Sequence, residues 1–377
     1  MLGLISFLTL VDLFAAQAML PDLAQAFGVD AAAMGAAANA STFGMAVAGL
    51  AVAFLARRIS RRHGIWIALA LLAIPTTLLA TTDDLTTFTL LRIAQGLCMS
   101  AAFTLTMAYL AEECTPRQAA GALAAYITGN VASNLFGRLM AANLVGFFDI
   151  ATSFYVFAAL NLCGAALAFW FIRPSMQRKT SGMAPEPVLR IWQTHFRTPG
   201  LPSGFAIGFF ILFAFLGVFT YVNFVLVDRF ALSAGALGLV YFVFLPSMVT
   251  TLLAGPIALR IGVRPAIGAG ILAAALGLAL TLAPSLAAVL VGLALVGAGT
   301  FFAQAATTGF ISATAVADRA SASGLYLTAY YLGGLIGSYI LGIVFTRYGW
   351  PACVAGVGAS LALILGLIIR LPRAAHP

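Results

Sequence analysis

Three charged side chains lie inside long apolar stretches of the sequence: Asp12, Arg92 and Arg138. An arginine at the centre of a membrane helix costs at least about 2.5–3.5 kcal/mol, so a chain that keeps two of them needs partners or a use for them. A carboxyl group in such surroundings can exchange a proton, and a guanidinium can hold a carboxylate or another anion. This set therefore predicts proton exchange or anion binding inside a membrane.

Asp12 has three interpretations. It could form a permanent ion pair with one of the arginines, gain and lose a proton during a working cycle, or bind a cationic substrate directly. Burial favours the neutral acid, whereas a nearby arginine favours the carboxylate. If that arginine moved away in one conformation, the affinity of Asp12 for a proton would change, which is a physical basis for coupling.

The two arginines also have alternative roles. Arg92 either positions helices through an ion pair or takes part in proton coupling or anion binding, and Gln95 lies on the same helix face at i+3. Arg138 shares a helix stripe with Asn130 and Asn134, at i−8 and i−4. It either extends to the outer membrane surface by snorkelling or works with Asp12 and Arg92 in proton coupling.

Composition and the length of the apolar runs define the elements that must position these residues. Hydrophobic residues make up 62% of the 377 residues and charged residues only 8%, which excludes a soluble fold. The runs are continuous and about 20 residues long, as membrane-spanning helices require, and do not alternate as barrel strands do. We therefore predict an all-α membrane protein with twelve transmembrane helices in two pseudo-symmetric six-helix halves. The predicted units are an N-terminal bundle (1–172), a flexible cytoplasmic linker (173–200) and a C-terminal bundle with a short cytoplasmic tail (201–377).

Basic residues are unevenly distributed among the predicted loops. Fifteen of the 19 lie in loops on one side, whereas the opposite loops carry six aspartates. The positive-inside rule places the basic side, both termini and the linker in the cytoplasm. The same rule accounts for the net charge of +8, so we expect a lipid bilayer and not nucleic acid as the partner of this charge.

The second half has no charged residue well inside a span, but it is rich in aromatic and neutral polar side chains. Its first span carries eight aromatic residues between positions 205 and 224 on all sides of the helix, which predicts that several of them face lipid. Side chains with hydrogen-bonding groups from both halves are predicted to line a cavity for a small-molecule substrate. These are Gln17, Asn39, Gln95, Asn130, Asn134, Tyr221, Asn223, Tyr241, Gln304 and Tyr330.

Motifs for other energy sources and chemistries are missing from the sequence. It contains no G-x-x-x-x-G-K-[ST] motif, so we expect an ion gradient rather than ATP to drive the cycle. The predicted spans contain no histidine and a single acid, so we expect no catalytic residues and no enzyme. The four cysteines show no metal-ligand spacing, so neither a metal nor a cofactor is expected.

Two stretches carry recognisable motifs. The loop after the second span reads AFLARRISRR from residue 53, and the fourth span opens with LRIAQG from residue 91. The first is similar to the G-x-L-A-D-R-x-G-R-R signature of the major facilitator superfamily, and the second resembles the R-x-x-Q-G motif of its proton antiporters. The resemblance makes Arg57, Arg58, Arg61 and Arg62 a gating loop, in which Arg57 replaces the usual acidic residue.

The fifth span, residues 127–138, is similar to that of efflux permeases of the drug/arabinose-export type, although it lacks the Gly-Pro pair of the antiporter motif. The resemblance implies a monomeric secondary transporter of a bacterial inner membrane, which exports a small amphipathic molecule in exchange for protons by alternating access. One alternative is proton-coupled uptake of an anionic metabolite bound by Arg92 and Arg138. A more remote alternative is a membrane sensor that transports nothing.

The loop charges generate a test of topology. A cysteine at position 185 should not react with a membrane-impermeant thiol reagent added outside cells, and one at position 84 should react, because basic loops stay in the cytoplasm. The variants Pro185→Cys and Asp84→Cys are compared in a background whose native cysteines are replaced by serine. Labelling at 185 without labelling at 84 would show that the orientation is reversed.

Overall fold

The computed structural model describes residues 2–55, 60–113, 116–172, 188–315 and 319–372. Within these ranges the chain is almost entirely α-helical and has no β-strand, which confirms the predicted all-α class. The helices of the first half are α1 (Leu2–Ala18), α2 (Leu20–Phe27), α3 (Ala31–Asn39), α4 (Ser41–Leu55), α5 (Arg61–Leu79), α6 (Leu85–Glu113), α7 (Pro116–Phe147) and α8 (Ile150–Phe171). They are followed by α9 (Val188–Arg197), α10 (Leu201–Phe230), α11 (Ala234–Val240), a 3₁₀ turn (Tyr241–Phe244), α12 (Leu245–Ile261), α13 (Val263–Leu280), α14 (Leu286–Thr314) and α15 (Arg319–Ile368).

These helices form the predicted twelve spans once the breaks within single spans are recognised. Eight of the described helical segments are long and apolar enough to cross a membrane, and α1 with α2 makes a ninth span, bent by 62°. α3 and α4 meet at Ala40 and form another span, and α7 is a further span of 32 residues. α15 contains two spans separated at Gly349, whose φ of 75° lies in the left-handed region that glycine adopts most readily.

The bend between α1 and α2 follows from Pro21. Proline has no backbone N–H, so the carbonyl group four residues earlier, that of Gln17, loses its helical donor. The helix breaks at Met19, and α2 carries Pro21 in its first turn. A side chain of the second half, Asn223, supplies the missing donor to the Gln17 carbonyl. A local sequence feature thus creates a contact point between the two halves.

The two halves are built alike, and glycines bring equivalent helices together. α7 packs along α1 in the first half, and α15 packs along α10 in the second. A Cβ atom on Gly129 of α7 would lie 2.0 Å from the carbonyl oxygen of Gly3, and one on Gly333 of α15 would lie 1.9 Å from that of Phe209. Both positions need glycine for the same reason, which is backbone contact between neighbouring membrane helices.

The halves meet along two pairs of spans. α3 and α4 pack against α15, while α7 packs against α11, the 3₁₀ turn and α12. Tyr221 of α10 fills a niche between Gly35 and Gly342, where a Cβ atom would lie 2.6 Å and 2.3 Å from its hydroxyl oxygen. The Tyr221 hydroxyl donates a hydrogen bond to the carbonyl group of Ser338. The ring of Tyr221 is thereby held between a helix of the first half and a helix of the second.

α10 is more deeply buried than its sequence predicts. Of its eight aromatic residues between positions 205 and 224, four are buried and four are half-buried, so only the half-buried four can contact lipid, and only with part of their surface. The reason is its central position, since α2, α3, α9, α14 and α15 all contact it. Its aromatic side chains therefore pack against protein and are available to form a site.

The segment predicted as a flexible linker ends in an ordered helix. α9 packs against α10 and α15, and His195 on this helix is fully buried. Composition alone did not indicate this helix. The remainder of the predicted linker, residues 173–187, lies outside the described residues.

Two aspartates cap helices at the end of the bundle where α2 lies. Asp84 accepts the backbone N–H of Thr87 at 2.7 Å, and Asp149 accepts that of Thr152 at 2.6 Å. These hydrogen bonds favour the ionised form and lower the pKa of both carboxyl groups. These two aspartates of the predicted outer loops therefore have a structural role as helix caps, and no bound ligand is needed to account for them.

The glycine contacts can be tested by thermal unfolding of the purified protein in detergent. Gly129→Ala and Gly333→Ala should each lower the unfolding temperature, because overpacking costs about 1–3 kcal/mol when the facing atom is backbone that cannot move aside. Gly268→Ala is the matched control, since a Cβ atom there meets nothing within 4 Å. Equal unfolding temperatures for all three variants would contradict the close contacts.

Candidate functional site

Asp12 lies in a polar pocket inside the first half, formed by α1, α5, α6 and α8. Its side chain is 3% exposed. Oδ2 accepts hydrogen bonds from Thr76 Oγ1 at 2.9 Å, Asn161 Nδ2 at 2.7 Å and Gln95 Nε2 at 3.4 Å. Oδ1 is buried and has no hydrogen-bond partner in the described parts of the chain. The carboxyl group is thus surrounded by neutral donors and keeps one oxygen free.

Arg92 is fully buried beside this pocket, and each of its five N–H groups has an acceptor. The acceptors are the backbone carbonyl groups of Ala38 at 2.8 Å, Asp12 at 3.2 Å and Leu13 at 3.4 Å, with Ser41 Oγ at 3.2 Å and Gln95 Oε1 at 2.6 Å. The guanidinium therefore ties α1, α3 and α4 to α6. It has no donor left for a substrate.

Gln95 connects Arg92 to the carboxyl group of Asp12. The guanidinium contacts the backbone carbonyl group of Asp12 rather than its carboxylate. Gln95 accepts from Arg92 through Oε1 and donates to Asp12 through Nε2. The ion pair considered from the sequence is therefore indirect in this conformation, and one amide transmits the influence of the cation to the acid.

Arg138 is the second fully buried arginine, and its surroundings are different. The prediction that it snorkels to the membrane surface is wrong, since its side chain is 0% exposed. Nη2 donates to Oε1 of Gln17, whereas Nε and Nη1 have no partner among the described residues. Five rings surround its guanidinium carbon with centroids at 4.9–5.9 Å, and we call them the aromatic box: Phe14, Phe215, Phe219, Tyr241 and Phe244.

The 3₁₀ turn between α11 and α12 directs two rings of the box to the same side. Side chains at i and i+3 of a 3₁₀ helix are eclipsed, and the rings of Tyr241 and Phe244 are parallel to within 6° with centroids 6.3 Å apart. Phe219 of α10 packs against Phe244 with centroids 4.6 Å apart. Most of the box thus belongs to the second half, while the cation that it surrounds belongs to the first.

Amide side chains join the halves next to the aromatic box. Asn223 donates to the Gln17 carbonyl group at 2.7 Å and accepts from the Tyr241 hydroxyl at 2.8 Å. The Gln17 side chain donates to Asn39 at 2.8 Å, and Asn39 donates to Thr220 at 3.0 Å. We call these five residues the inter-half network. Four of them were predicted to bind substrate, and the structure brings those four together.

The other predicted polar residues lie around this centre. Asn134 is one turn before Arg138 on α7, fully buried, and neither its Oδ1 nor its Nδ2 has a partner. Asn130, a further turn away, is half-buried. Gln304 is half-buried on α14, one turn after Phe301, whose ring lies 5.2 Å from that of Phe215 in the box.

Tyr330 and the predicted gating loop lie elsewhere. Tyr330 packs in a separate cluster with Tyr326 and Tyr331, at ring distances of 6.1 Å and 5.5 Å. In the gating loop, Arg62 donates from Nε and Nη2 to the carbonyl group of Phe169 at 3.2 Å and 2.7 Å, and Arg61 is buried. Arg57 and Arg58 lie outside the described residues.

Sequence reasoning missed two hydrogen-bond partners of Asp12 and the four phenylalanines of the aromatic box, a set of which only Tyr241 was predicted. Thr76 and Asn161 are polar residues inside apolar spans, a signal that could have identified them because burying a polar group requires a hydrogen bond. The four phenylalanines carry no such signal, since the chain contains 29 phenylalanines. Thr220 was missed for a third reason, because a lone threonine in a span usually bonds within its own helix.

A cleft of about 270 Å³ opens between the halves near the inter-half network. Its lining residues are Pro21, Asp22 and Gln25 of α2, with Phe224, Val227, Asp228, Leu232 and Leu237 of the second half. Two carboxyl groups therefore lie at this cleft.

In the part of the chain that the structure describes, no group of three or more His, Cys, Asp or Glu residues could hold a metal ion.

Sequence comparison extends the similarity along the whole chain. The family profile described as Major Facilitator Superfamily matches residues 2–250 and 226–377. The inner membrane transport protein YnfM of Escherichia coli (strain K12) is 32% identical over 374 residues, which cover 98% of this chain and 88% of the relative. The uncharacterized MFS-type transporter YybF of Bacillus subtilis (strain 168) is 24% identical over 368 residues, which cover 97% and 91%.

Solved structures share the fold. A mutant of the nucleoside transporter NupG superposes with a TM-score of 0.76 at 16% identity, covering 98% of each chain. A bacterial homologue of the human lysosomal transporter Spinster, in an inward-facing and unoccupied conformation, gives a TM-score of 0.73 at 14% identity, covering 98% of this chain and 93% of that one. With the profile match along its length, this chain belongs to the Major Facilitator Superfamily and is a multi-pass membrane transporter rather than an enzyme.

Proposed function

We propose that this transporter couples proton movement to the export of a small amphipathic molecule by alternating access between its two halves. The observation that carries the proposal is the buried carboxyl group of Asp12, with neutral donors on one oxygen and no partner on the other. An ionised carboxylate is costly to bury unless it is paired. Because the side chain of Asp12 contacts no cation directly, a proton is the partner that fits.

The contacts of Thr76 allow Asp12 to hold or release that proton without rearranging the pocket. Thr76 Oγ1 lies 2.9 Å from Asp12 Oδ2 and 2.8 Å from the carbonyl oxygen of Leu72, but a hydroxyl has one proton to donate. When Asp12 is ionised, Thr76 donates to it. When Asp12 carries a proton on the free oxygen Oδ1, the Thr76 proton can turn to Leu72 while Gln95 and Asn161 continue to donate to Thr76 Oγ1. Both protonation states use the same atomic positions.

α1 connects the proton site to the contact between the halves. Asp12 and Gln17 lie on this helix, and Arg92 holds the carbonyl groups of Asp12 and Leu13. For the halves to separate here, the bond from Asn223 to the Gln17 carbonyl group must break. A change of charge at Asp12 acts on Gln95 and Arg92 and hence on the position of α1. Protonation and separation of the halves therefore act on one helix.

The substrate is proposed to bind between the halves, at the aromatic box and the inter-half network. Apolar area that is removed from water contributes roughly 25 cal/mol per Å², so the rings can supply affinity for an apolar body. The amides of Gln17, Asn39 and Asn223, with the hydroxyl of Tyr241, can bind its polar groups once the bonds between the halves open. Direct contact with the substrate stays a prediction for four further residues: Tyr221, Asn130, Gln304 and Tyr330.

Orientation, location and direction are proposed from charge and similarity. YnfM is named as an inner membrane transport protein, and 15 of the 19 basic residues lie in loops of one side. We infer a monomer in a bacterial inner membrane, with both termini and residues 173–200 in the cytoplasm. Residues 1–172 and 201–377 are proposed to move as the two bodies. Export rather than uptake follows from the resemblance of the LRIAQG stretch to the antiporter motif.

Uptake of an anionic metabolite by both arginines together has less support. All five N–H groups of Arg92 are bonded within the first half, so binding an anion there would break contacts that hold α1. Of these two arginines, Arg138 alone has donors without a partner among the described residues. The two guanidinium groups therefore cannot bind an anion together, because Arg92 has no N–H group left to donate.

Asp12→Asn tests the proton site. In proteoliposomes, transport of the best ligand from a thermal-shift screen against a concentration gradient should fall at least tenfold, because an amide cannot carry the proton. Exchange of the same ligand without net proton movement should persist. Asp149→Asn, which replaces one helix-capping residue by another, is the control. Uphill transport by Asp12→Asn at the wild-type level would exclude Asp12 as the coupling group.

Arg92→Gln and Arg92→Lys separate the charge of Arg92 from its hydrogen bonds. Arg92→Gln should move the pH profile of transport to higher pH, because without the cation Asp12 binds a proton more readily. Arg92→Lys keeps the charge and should keep the profile, but it should lower the unfolding temperature, since lysine has three N–H groups for five acceptors. A pH profile that is the same for Arg92→Gln and wild type would show that Asp12 does not sense this cation.

A further inference from the structure

We propose that Arg138, with Asn134, binds the anionic head group of the substrate, and that the substrate is a monovalent organic anion with an apolar body. The inference rests on the proposed function, because it places the substrate between the halves. It adds the sign of the charge and the residues that recognise it. The aromatic box receives the apolar body.

The first argument is the number of unused donors on Arg138. A guanidinium has five N–H groups, and an unpaired buried donor costs about 1–3 kcal/mol. Arg138 leaves one N–H on Nε and two on Nη1 without a partner. Arg92 is equally buried and leaves none. The chain can therefore satisfy a buried guanidinium fully, and at Arg138 it does not.

The second argument is the kind of surroundings that Arg138 has. The rings of the aromatic box attract the cation through their faces, with Tyr241 at 4.9 Å and Phe244 at 5.1 Å from the guanidinium carbon. The hydroxyl group of Tyr241 also interacts with the guanidinium, but its own proton is donated to Asn223 and it is a single acceptor. The ring faces stabilise the charge but accept no strong hydrogen bond from the N–H groups. A carboxylate would satisfy the N–H groups with charge-assisted hydrogen bonds, which are the stronger kind.

Asn134 supplies an independent observation. Its side chain is fully buried, and neither end of its amide has a hydrogen-bond partner within the ranges that the structure describes. It lies one turn from Arg138 on the same face of α7, so its Nδ2 group can serve as a further donor to the same anion. An asparagine with no hydrogen bond does not stabilise the fold, so its burial indicates a bonding partner that arrives when the site is filled.

The size of the charge follows from the single available guanidinium. One cation with neutral neighbours balances one negative charge, and a polyanion would leave the remainder buried without compensation. A cationic substrate would be repelled by Arg138. The surrounding phenylalanine rings favour an aromatic or aliphatic body over a sugar-like one, because they offer few groups for hydrogen bonding.

The charges at the two ends of the bundle agree with export of an anion. Asp22 and Asp228 line the cleft near the inter-half network, whereas most basic residues lie in loops of the opposite end. Basic loops raise the local concentration of an anion, and a carboxylate-lined cleft lowers it. An anion would therefore enter from the basic end and leave past the acids.

Ligand binding to the purified protein in detergent, at constant ionic strength and without a proton gradient, tests the charge preference. The probes are phenylacetate, indole-3-acetate and hexanoate, each with its primary amide and the amine of the same chain length. At least one acid should raise the unfolding temperature in a concentration-dependent way, while its amide and amine do not. The absence of stabilisation by any acid, or equal stabilisation by amide or amine, would overturn the proposal.

Variants locate the binding site. Arg138→Gln should weaken binding of that acid at least tenfold, whereas Arg229→Gln, on the exposed part of α10, should bind it normally. Asn134→Ala should weaken binding several-fold without lowering the unfolding temperature of the ligand-free protein, because no hydrogen bond is lost. If the Arg138→Gln protein cannot be purified in a monodisperse form, the test is binding of the acid by Asn134→Ala. Unchanged acid binding in Asn134→Ala and in any folded Arg138 variant would overturn the assignment.

Failure of this inference is distinguishable from failure of the proposed function. The binding experiment involves no proton gradient and does not depend on Asp12. Uphill transport of a neutral or cationic molecule that is lost in Asp12→Asn would overturn the anion site while the proposed function stands. Acid-specific binding without any Asp12-dependent uphill transport would overturn the proposed function while the anion site stands.

Discussion

The structure depends on how a buried guanidinium satisfies five N–H groups where no water is available. Arg92 does so by taking backbone carbonyl groups from α1 and α3, a hydroxyl from α4 and the amide of Gln95 on its own helix. These bonds fix the part of α1 that carries Asp12. A charge that is costly to bury therefore also fixes the position of the carboxyl group of Asp12.

Arg138 is also a buried guanidinium, but it is surrounded mainly by aromatic ring faces and not by hydrogen-bond acceptors. This difference in surroundings corresponds to a difference in where the two arginines lie. Arg92 lies within one half, where its contacts can persist through the proposed cycle. Arg138 contacts residues of both halves, and the proposed alternating access would require such contacts to form and break. Ring faces attract a cation with little directional requirement, at about 0.5–2 kcal/mol each. A cation held in this way can leave the rings without breaking a set of directed hydrogen bonds, and its unused N–H groups remain available.

Much of this architecture could be predicted from the sequence, because membrane helices leave strong signals. Run length, charge content and the cost of buried charge were sufficient to predict the helical class and the two halves, and to single out Asp12, Arg92 and Arg138 as charged residues inside spans. The partners of these residues were harder to predict. Thr76 and Asn161 reach Asp12 from distant spans, and no local pattern records such contacts. The burial of α10 was also missed, because hydrophobicity does not distinguish a lipid-facing helix from a central one.

The contacts between the halves show why α1 is suited to connect the proposed proton site at Asp12 with the second half. A regular helix satisfies its own carbonyl groups and has few backbone bonds to offer a neighbour. Pro21 frees the carbonyl group of Gln17, and Asn223 of the second half occupies it. Gln17 lies five residues from Asp12, less than two turns along the helix. In the proposed cycle, a small displacement of α1 at Asp12 therefore reaches the carbonyl group of Gln17 through the backbone that Arg92 holds. The strength of the contact between the halves would then depend on whether Asp12 carries a proton.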